Sequence, residues 1–339
     1  MLTSPERTGE IPPELSSPEC QAEVADIRVG VGVGVCVGVC IVNYFSADMV
    51  ERLVSSLRRN AGEAGVVVSC VDNSQSDDEF AALREVKRRV QDDQVTFLLW
   101  RSPVNSGYAT GNNVAAAALV GHRVRTLVIA NPDVIMLRGS LEELDRFVSS
   151  NPGVICTATT WCGRMTYSGM SLLNRWTSVS RPAPRDHRVG ALRRGEVSYP
   201  GGHFLAMSMA TWLRLGGLSE DFFLYGEEAD MSVRALRQNL PVLATDAVEV
   251  IHEMGGTTGA TVDLSKKSPV VLREAARSAV VFSRKHNLYR TPVVVAFRLG
   301  LALLVLRRQG PAASREVLRG IIRGLRASLA AGIPELEVR

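Results

Sequence analysis

VVVSCVDNS, residues 66–74, decides the fold: a short run rich in β-branched residues that closes on a carboxylate, an amide and a hydroxyl. Val66–Val71 reads as a buried strand, with Asp72, Asn73 and Ser74 at its carboxyl end. Upstream, Met49, Val50, Leu53, Val54 and Leu57 recur at helical spacing, and before them residues 35–42 form a second branched strand that ends at Asn43 and Tyr44. Downstream come a helix carrying Phe80, Leu83, Val86 and Val90, a strand at Val95–Leu99, an Ala-rich helix over 112–120 and a strand at Thr126–Ala130. This alternation predicts an α/β architecture, Rossmann-like, with a mixed, mainly parallel sheet and helices on both faces. Ser140 and Glu143 have capping-box spacing ahead of Leu141, Leu144, Phe147 and Val148, so a helix opens there. Short strands are expected near 154–158, 203–208 and 248–252.

In open sheets of this kind ligands bind beyond the carboxyl ends of the strands. Asn43-Tyr44, Asp72-Asn73-Ser74, the stretch from Arg101 to Gly107, and Asn131-Pro132-Asp133 all fall at such ends. Each alone is ordinary turn chemistry; four on one edge mark a candidate site. Gly30, Gly32, Gly34 and Gly38 do not satisfy G-x-G-x-x-G, and more strand follows them, so a dinucleotide loop is not predicted.

With 339 residues, 46% hydrophobic and 22% charged, the chain has enough apolar material for a large domain and is neither collagen-like nor wholly disordered in composition. Cys20, Cys36, Cys40, Cys70, Cys156 and Cys162 lack C-x-x-C spacing, which excludes a zinc ribbon and predicts buried thiols in a reducing compartment. A net charge of +4 makes no case for nucleic acid, but ten Lys or Arg against one acid, Glu316, lie between Arg284 and Arg326. Residues 293–306 are nearly all apolar, a run of 14 that is too short to cross a bilayer, which takes about 20 residues. Two readings stay open for 284–326: a core-docked helix with basic flanks, or a peripheral membrane contact. Residues 1–27 read as a disordered leader with no signal-peptide layout, 28–260 as the main domain, and 261–339 as a basic, amphipathic helical region. Residues 160–200, with Trp161, Trp176, Arg181, Pro182, Pro184 and Arg185, show no sustained period and read as a variable loop.

The ordered series IVNY (41–44), VDNS (71–74), NSGYATGNN (105–113), ANPDV (130–134), GGLSEDFFLYGEEADMSVRAL (216–236) and VIHEMGG (250–256) resembles glycosyltransferase family 2, especially its rhamnosyltransferase-like members. The resemblance implies a GT-A fold with a donor half at 28–135 and an acceptor half at 136–260. It also implies a UDP- or dTDP-sugar donor, a Mg2+ or Mn2+ ion and inversion at the anomeric carbon. On that pattern Asp133 holds the metal, Asn131 replaces the first acid of the metal motif, and His252 is a second metal or diphosphate contact. Asp72 accepts from the imide N–H of the base. Asn43, Tyr44, Asn73, Arg101, Asn105, Gly107, Asn112 and Asn113 enclose the nucleotide, and Gly202 lies beside the donor sugar. Asn112 is also read as the cap of the helix that follows it.

The acceptor hydroxyl must lose a proton as it attacks, and a carboxylate within reach is the usual solution. Glu228 is the expected base, with Glu227 open as the alternative; both, with Asp230, also suit the positive end of a helix. His203 is open between a sugar contact and a structural role. The expected activity is transfer of a sugar, rhamnose by resemblance, to an alcohol on a polysaccharide, glycolipid or natural product. The competing reading is a non-catalytic nucleotide-sugar-binding protein on the same fold. No nucleic-acid partner is expected, a homodimer is left open, and the expected location is cytoplasmic, with or without attachment to the inner face of the membrane.

Overall fold

In a computed structural model the described residues are 37–62, 65–253 and 266–329, all within one contact unit. The 1–27 leader, Cys20, Cys36 and the end of the VIHEMGG motif lie outside them. The first half alternates as expected: β1 (Val37–Asn43), α1 (Ala47–Arg59), β2 (Val66–Asp72), α2 (Asp77–Val90), β3 (Val95–Arg101), α3 (Gly107–Leu119) and β4 (Thr126–Ala130). Strands β3, β2, β1 and β4 are neighbours and parallel. Their register aligns Asn43 with Asp72 and Asp72 with Arg101, so three of the predicted polar ends sit side by side.

The second half is β5 (Val134–Gly139), α4 (Leu141–Ser150), β6 (Ile155–Cys162), β7 (Met165–Tyr167), β8 (Met170–Asn174), β9 (Ser180–Pro182), β10 (Glu196–Pro200), β11 (Phe204–Ser208), α5 (Met209–Leu215), α6 (Glu227–Arg237) and β12 (Val242–His252). The large sheet runs β3-β2-β1-β4-β11-β6-β12-β5, with β11 antiparallel to both neighbours and β5 antiparallel to β12. One face packs α1, α2 and α4 through Leu53, Leu57, Leu83, Val86, Leu141 and Leu144. The other packs α3, α5 and α6 through Ala115, Leu119, Trp212, Leu215 and Met231. Cys40, Cys70 and Cys156 are buried in these layers, while Cys162 is half-buried; none is bridged.

Three expectations need correction. Residues 160–200 are not one irregular loop: they hold the end of β6, strand β7 and a three-stranded antiparallel sheet in the order β10-β8-β9. These strands are 3–5 residues long apart from β6, too short for an alternating pattern to register. The helix placed at 112–120 begins at Gly107, because Gly107 has φ +81° and turns the chain directly into it. Asn112 is therefore not a cap; it lies inside α3 and donates back to Tyr108 O (2.9 Å).

The C-terminal region forms α7 (Pro269–His286), α8 (Thr291–Gln309) and α9 (Pro311–Arg326). Pro sits in the first turn of each, where its missing N–H costs nothing. With the turn before it, α8 gives an apolar helical stretch of 22 residues, Leu288–Gln309, long enough by length and composition to cross a membrane. The run of 14 apolar residues understated it because the helix continues past that run at both ends.

Candidate active site

On the β1–β3 side the predicted residues form a closed network. Asn43 Nδ2 donates to Asp72 Oδ1 (3.0 Å) and to Glu79 Oε1 (2.9 Å), while its Oδ1 accepts from Ser46 Oγ (2.9 Å). Asp72, fully buried, accepts further from Ser74 N (3.0 Å) and Ser74 Oγ (2.9 Å). Glu79 also accepts from the backbone N–H groups of Ser46 and Ala47, so a carboxylate from α2 caps the start of α1. Asn73 Nδ2 donates to Gly107 O (3.0 Å) and its Oδ1 accepts from Ser106 Oγ (3.2 Å); Asn105 Oδ1 accepts from Gly107 N (3.1 Å). Arg101 turns to the surface, pairing with Asp77 at 2.7 Å over the Phe80 ring. Asn113 is drawn away to the 218–220 loop, which it grips through Leu218 O and N and Glu220 Oε1. Tyr44 is exposed at the rim, edge-on to Phe45.

On the opposite side the same residue types lack partners. Asp133 follows β4 and is buried, with Oδ1 3.4 Å from His252 Nε2 at the end of β12. Asp133 Oδ1 and His252 Nδ1 are buried polar atoms without a hydrogen-bond partner. His203, buried, stacks on His252 with ring centroids 4.7 Å apart and 8° between planes, and bonds Thr160 Oγ1 at 2.7 Å. It therefore positions the His252 ring. Burial, and then the neighbouring His252, push its pKa well down, so it is neutral. Asn131 is bound to His203 through its backbone, N–H to carbonyl at 3.0 Å.

Glu227 and Glu228 open α6. Glu227 is buried and its Oε2 has no partner; burial first, then the Glu228 charge, raise its pKa well above the ordinary carboxyl range. Glu228 is half-buried and is pushed up to about 7 by burial. A Cβ on Gly202 would overlap Glu228 Oε1, so the absence of a side chain at 202 is what lets this carboxylate lie on that loop. Tyr108 Oη donates to Gly202 O (2.6 Å). Burial, then the charges of Glu228 and Glu227 and, further down, Asp133, raise the Tyr108 phenol. A cavity of about 400 Å³ opens beside His252, lined by Leu137, Trp161 and Ile251.

Asp230 stands apart from the two glutamates. Burial raises its pKa, but His286, Arg234 and Lys285 outweigh that and hold it at about 2. It bonds His286 Nε2 at 2.8 Å and Arg234 Nε at 2.8 Å, and so ties α6 to α7. Glu79, Tyr108 and Thr160 were not found in the sequence: a helix glutamate, an aromatic and a strand threonine carry no signal until the strand order brings them to the rim.

The fit for a divalent ion can be judged from the donors themselves. The Asp133 carboxylate oxygen and the half-buried His252 Nε2, 3.4 Å apart, are within the span of two ligands of one ion with bonds of about 2.1 Å. Among the described residues no group of three or more His, Cys, Asp or Glu side chains assembles a metal site, so such an ion would draw its other ligands from substrate and water.

No protein-family model matches the chain. The low-salt glycan biosynthesis hexosyltransferase Agl10 of Haloferax volcanii is 26% identical over 230 residues, which is 62% of this chain and 65% of that relative. The crystal structure of GalNAc-T7 with UDP, GalNAc and Mn2+ superposes with a TM-score of 0.52 at 12% identity, over 81% of this chain and 58% of that one. The chain thus spans less than two thirds of the length of either. The fold is that of the GT-A glycosyltransferases.

Proposed function

We propose that the chain is an inverting, metal-dependent glycosyltransferase that moves a hexose from a UDP- or dTDP-sugar to an alcohol. The observation that carries this reading is the Asp133–His252 pair, with Asp133 Oδ1 3.4 Å from His252 Nε2 and without a hydrogen-bond partner, together with the adjacent acids Glu227, whose buried Oε2 has no partner, and Glu228, pushed up to about 7. Atoms left bare by the chain are those a charged substrate and its counter-ion would satisfy. The hexosyltransferase relative and the UDP- and Mn2+-containing structural neighbour agree with it.

Asp133 and His252 would hold the ion, which supplies positive charge opposite the diphosphate as the sugar–phosphate bond breaks. His203 and Thr160 keep the His252 ring in place. Glu228, the more accessible of the two acids, takes the proton of the acceptor hydroxyl; its pKa near 7 suits a group that must gain and lose a proton at neutral pH. Glu227 stays protonated and presents a neutral carboxyl beside it. A single base and direct displacement by the acceptor invert the anomeric centre. Rhamnose remains the donor sugar that the sequence resemblance favours.

Thermal unfolding tests this reading, because a ligand that binds only the folded state raises the midpoint. Wild type is expected to be stabilised by UDP or dTDP in a Mn2+- or Mg2+-dependent way, and Asp133→Asn to lose that dependence. Glu228→Gln should keep it while losing transfer. Metal-dependent stabilisation with no turnover on any alcohol would favour the nucleotide-sugar-binding reading instead.

A further inference from the structure

We propose that the outward face of α8 and α9, with the aromatic cluster at the α7–α8 turn, docks on an anionic lipid bilayer. Helix α8 reverses the pattern of a helix on a water-facing surface. Its inward stripe is Val294, Arg298, Ala302 and Val305, and the buried Arg298 donates to Ser178 O at 2.7 Å. Val293, Phe297, Leu299, Leu303, Leu304 and Leu306 face outward, with Leu303 64% exposed. A charge turned in and large apolar side chains turned out along a whole helix suit an apolar exterior.

The charge of α9 completes the face. Leu318, Ile322 and Leu325 are exposed along one line, and Arg315, Arg319 and Arg323 along the next, with Arg326 beyond. The acid of this helix, Glu316, is turned inward to Arg273 and Arg319. An apolar line beside a cationic one is the layout of a helix lying in a lipid interface. At the α7–α8 turn, Leu288 and Tyr289 are about 70% and 68% exposed, and the Arg290 guanidinium lies over the rings of Trp176 (4.4 Å) and Tyr289 (4.9 Å). Arg290 Nε and Nη1 and Arg175 Nε are buried without partners. The exposed Trp176 and Tyr289 rings, held by the buried Arg290 beneath them, are the aromatic side chains that suit a membrane–water interface.

The helix lies along the bilayer rather than through it. Its inner stripe packs on Leu272, Ala276 and Val280 of α7 and on Ala313, Val317 and Ile321 of α9. Helix α9 presses on α7 where a Cβ on Gly320 would overlap Arg273 O, and α7 is held to α6 by the His286–Asp230 bond. A second copy of the chain is disfavoured as the occupant, because a two-fold contact would oppose the arginine line to itself. Acidic headgroups complement it.

Flotation of the full chain with vesicles tests this. Co-flotation is expected with phosphatidylcholine containing phosphatidylglycerol and much less with phosphatidylcholine alone. Leu303→Glu/Leu304→Glu should abolish it, and Arg315→Gln/Arg319→Gln/Arg323→Gln should weaken partitioning by roughly a hundredfold, at about fivefold for each of the three charges removed. Vesicles of brominated lipid should quench tryptophan fluorescence, less so in Trp176→Phe. The thermal midpoint of each variant shows that it is folded. Wild type that melts normally yet stays unbound to acidic vesicles overturns the proposal, as does a folded Leu303→Glu/Leu304→Glu chain that still floats. Concentration-dependent dimers abolished by the same leucine pair, without vesicle binding, would assign the face to a second copy and also overturn it.

Discussion

The two sides of the rim use the same residue types in opposite ways. At the ends of β1 to β3, Asn43, Asp72, Asn73 and Asn105 bond to one another, to Ser46, Ser74, Ser106 and Glu79, or to the Gly107 backbone. At the ends of β4 and β12 and the start of α6, Asp133, His252 and Glu227 each leave a buried atom bare. Asn112 Oδ1 is the exception on the first side. A buried polar atom without a partner costs about 1–3 kcal/mol, so a fold keeps one where something outside the chain supplies the bond. The paired side holds three strand ends in register, and on the proposed reading the bare atoms of Asp133 and Glu227 on the other side are left for the donor, its ion and the acceptor.

The difference can be broken most sharply at Glu228. Glu228→Gln should lower turnover by about 10²–10⁴-fold, the usual worth of a positioned base, while leaving the thermal midpoint no lower. In the wild type, kcat/KM should rise with pH through about 7, because the base acts only after losing its proton. Near-normal turnover in the variant, or a profile flat across neutral pH, would put the base elsewhere. A smaller effect, of the opposite kind, is expected at Asp72. Asp72→Ala strands donors from Asn43 and Ser74 and should cost roughly 3 kcal/mol in urea unfolding, with metal-dependent stabilisation largely kept. An Asp72→Ala chain as stable as wild type but unable to bind nucleotide would reverse the assignment of the two sides.

The alternation of β1 to β4 was legible because buried parallel strands are continuous branched runs, bounded by helices of clear period. Asp133, Glu227 and Glu228 were legible as carboxylates at element ends, and Ser140 with Glu143 forms the capping box its spacing implied. The bonding state of each was not. Asn73 and Asp133 look alike in a sequence, and only the strand order shows that one faces Ser106 and Gly107 while the other faces His252. Asp230 does lie in the first turn of α6 and pairs with Arg234 four residues on, but its other partners, Lys285 and His286, lie 55 and more residues away. Strands β8 to β10 escaped notice because their small sheet stands outside the main one and its members are too brief for a period.

The mildest change tests why Glu227 is kept. In the unfolded chain its carboxyl ionises near 4.3. In the folded chain burial and the Glu228 charge hold its proton to much higher pH. The folded state therefore carries an extra proton, and stability is lost as pH rises above the unfolded value. Glu227→Gln removes that loss while its amide oxygen can still accept from the backbone at the start of α6. The midpoint of the variant should match wild type near about pH 4 and exceed it by a margin that widens toward about pH 8. Its turnover should fall less than that of Glu228→Gln, since it is the buried member of the pair. A margin that stays constant with pH would mean that Glu227 gives up its proton in the folded chain as readily as in the unfolded one, and that burial does not hold it neutral.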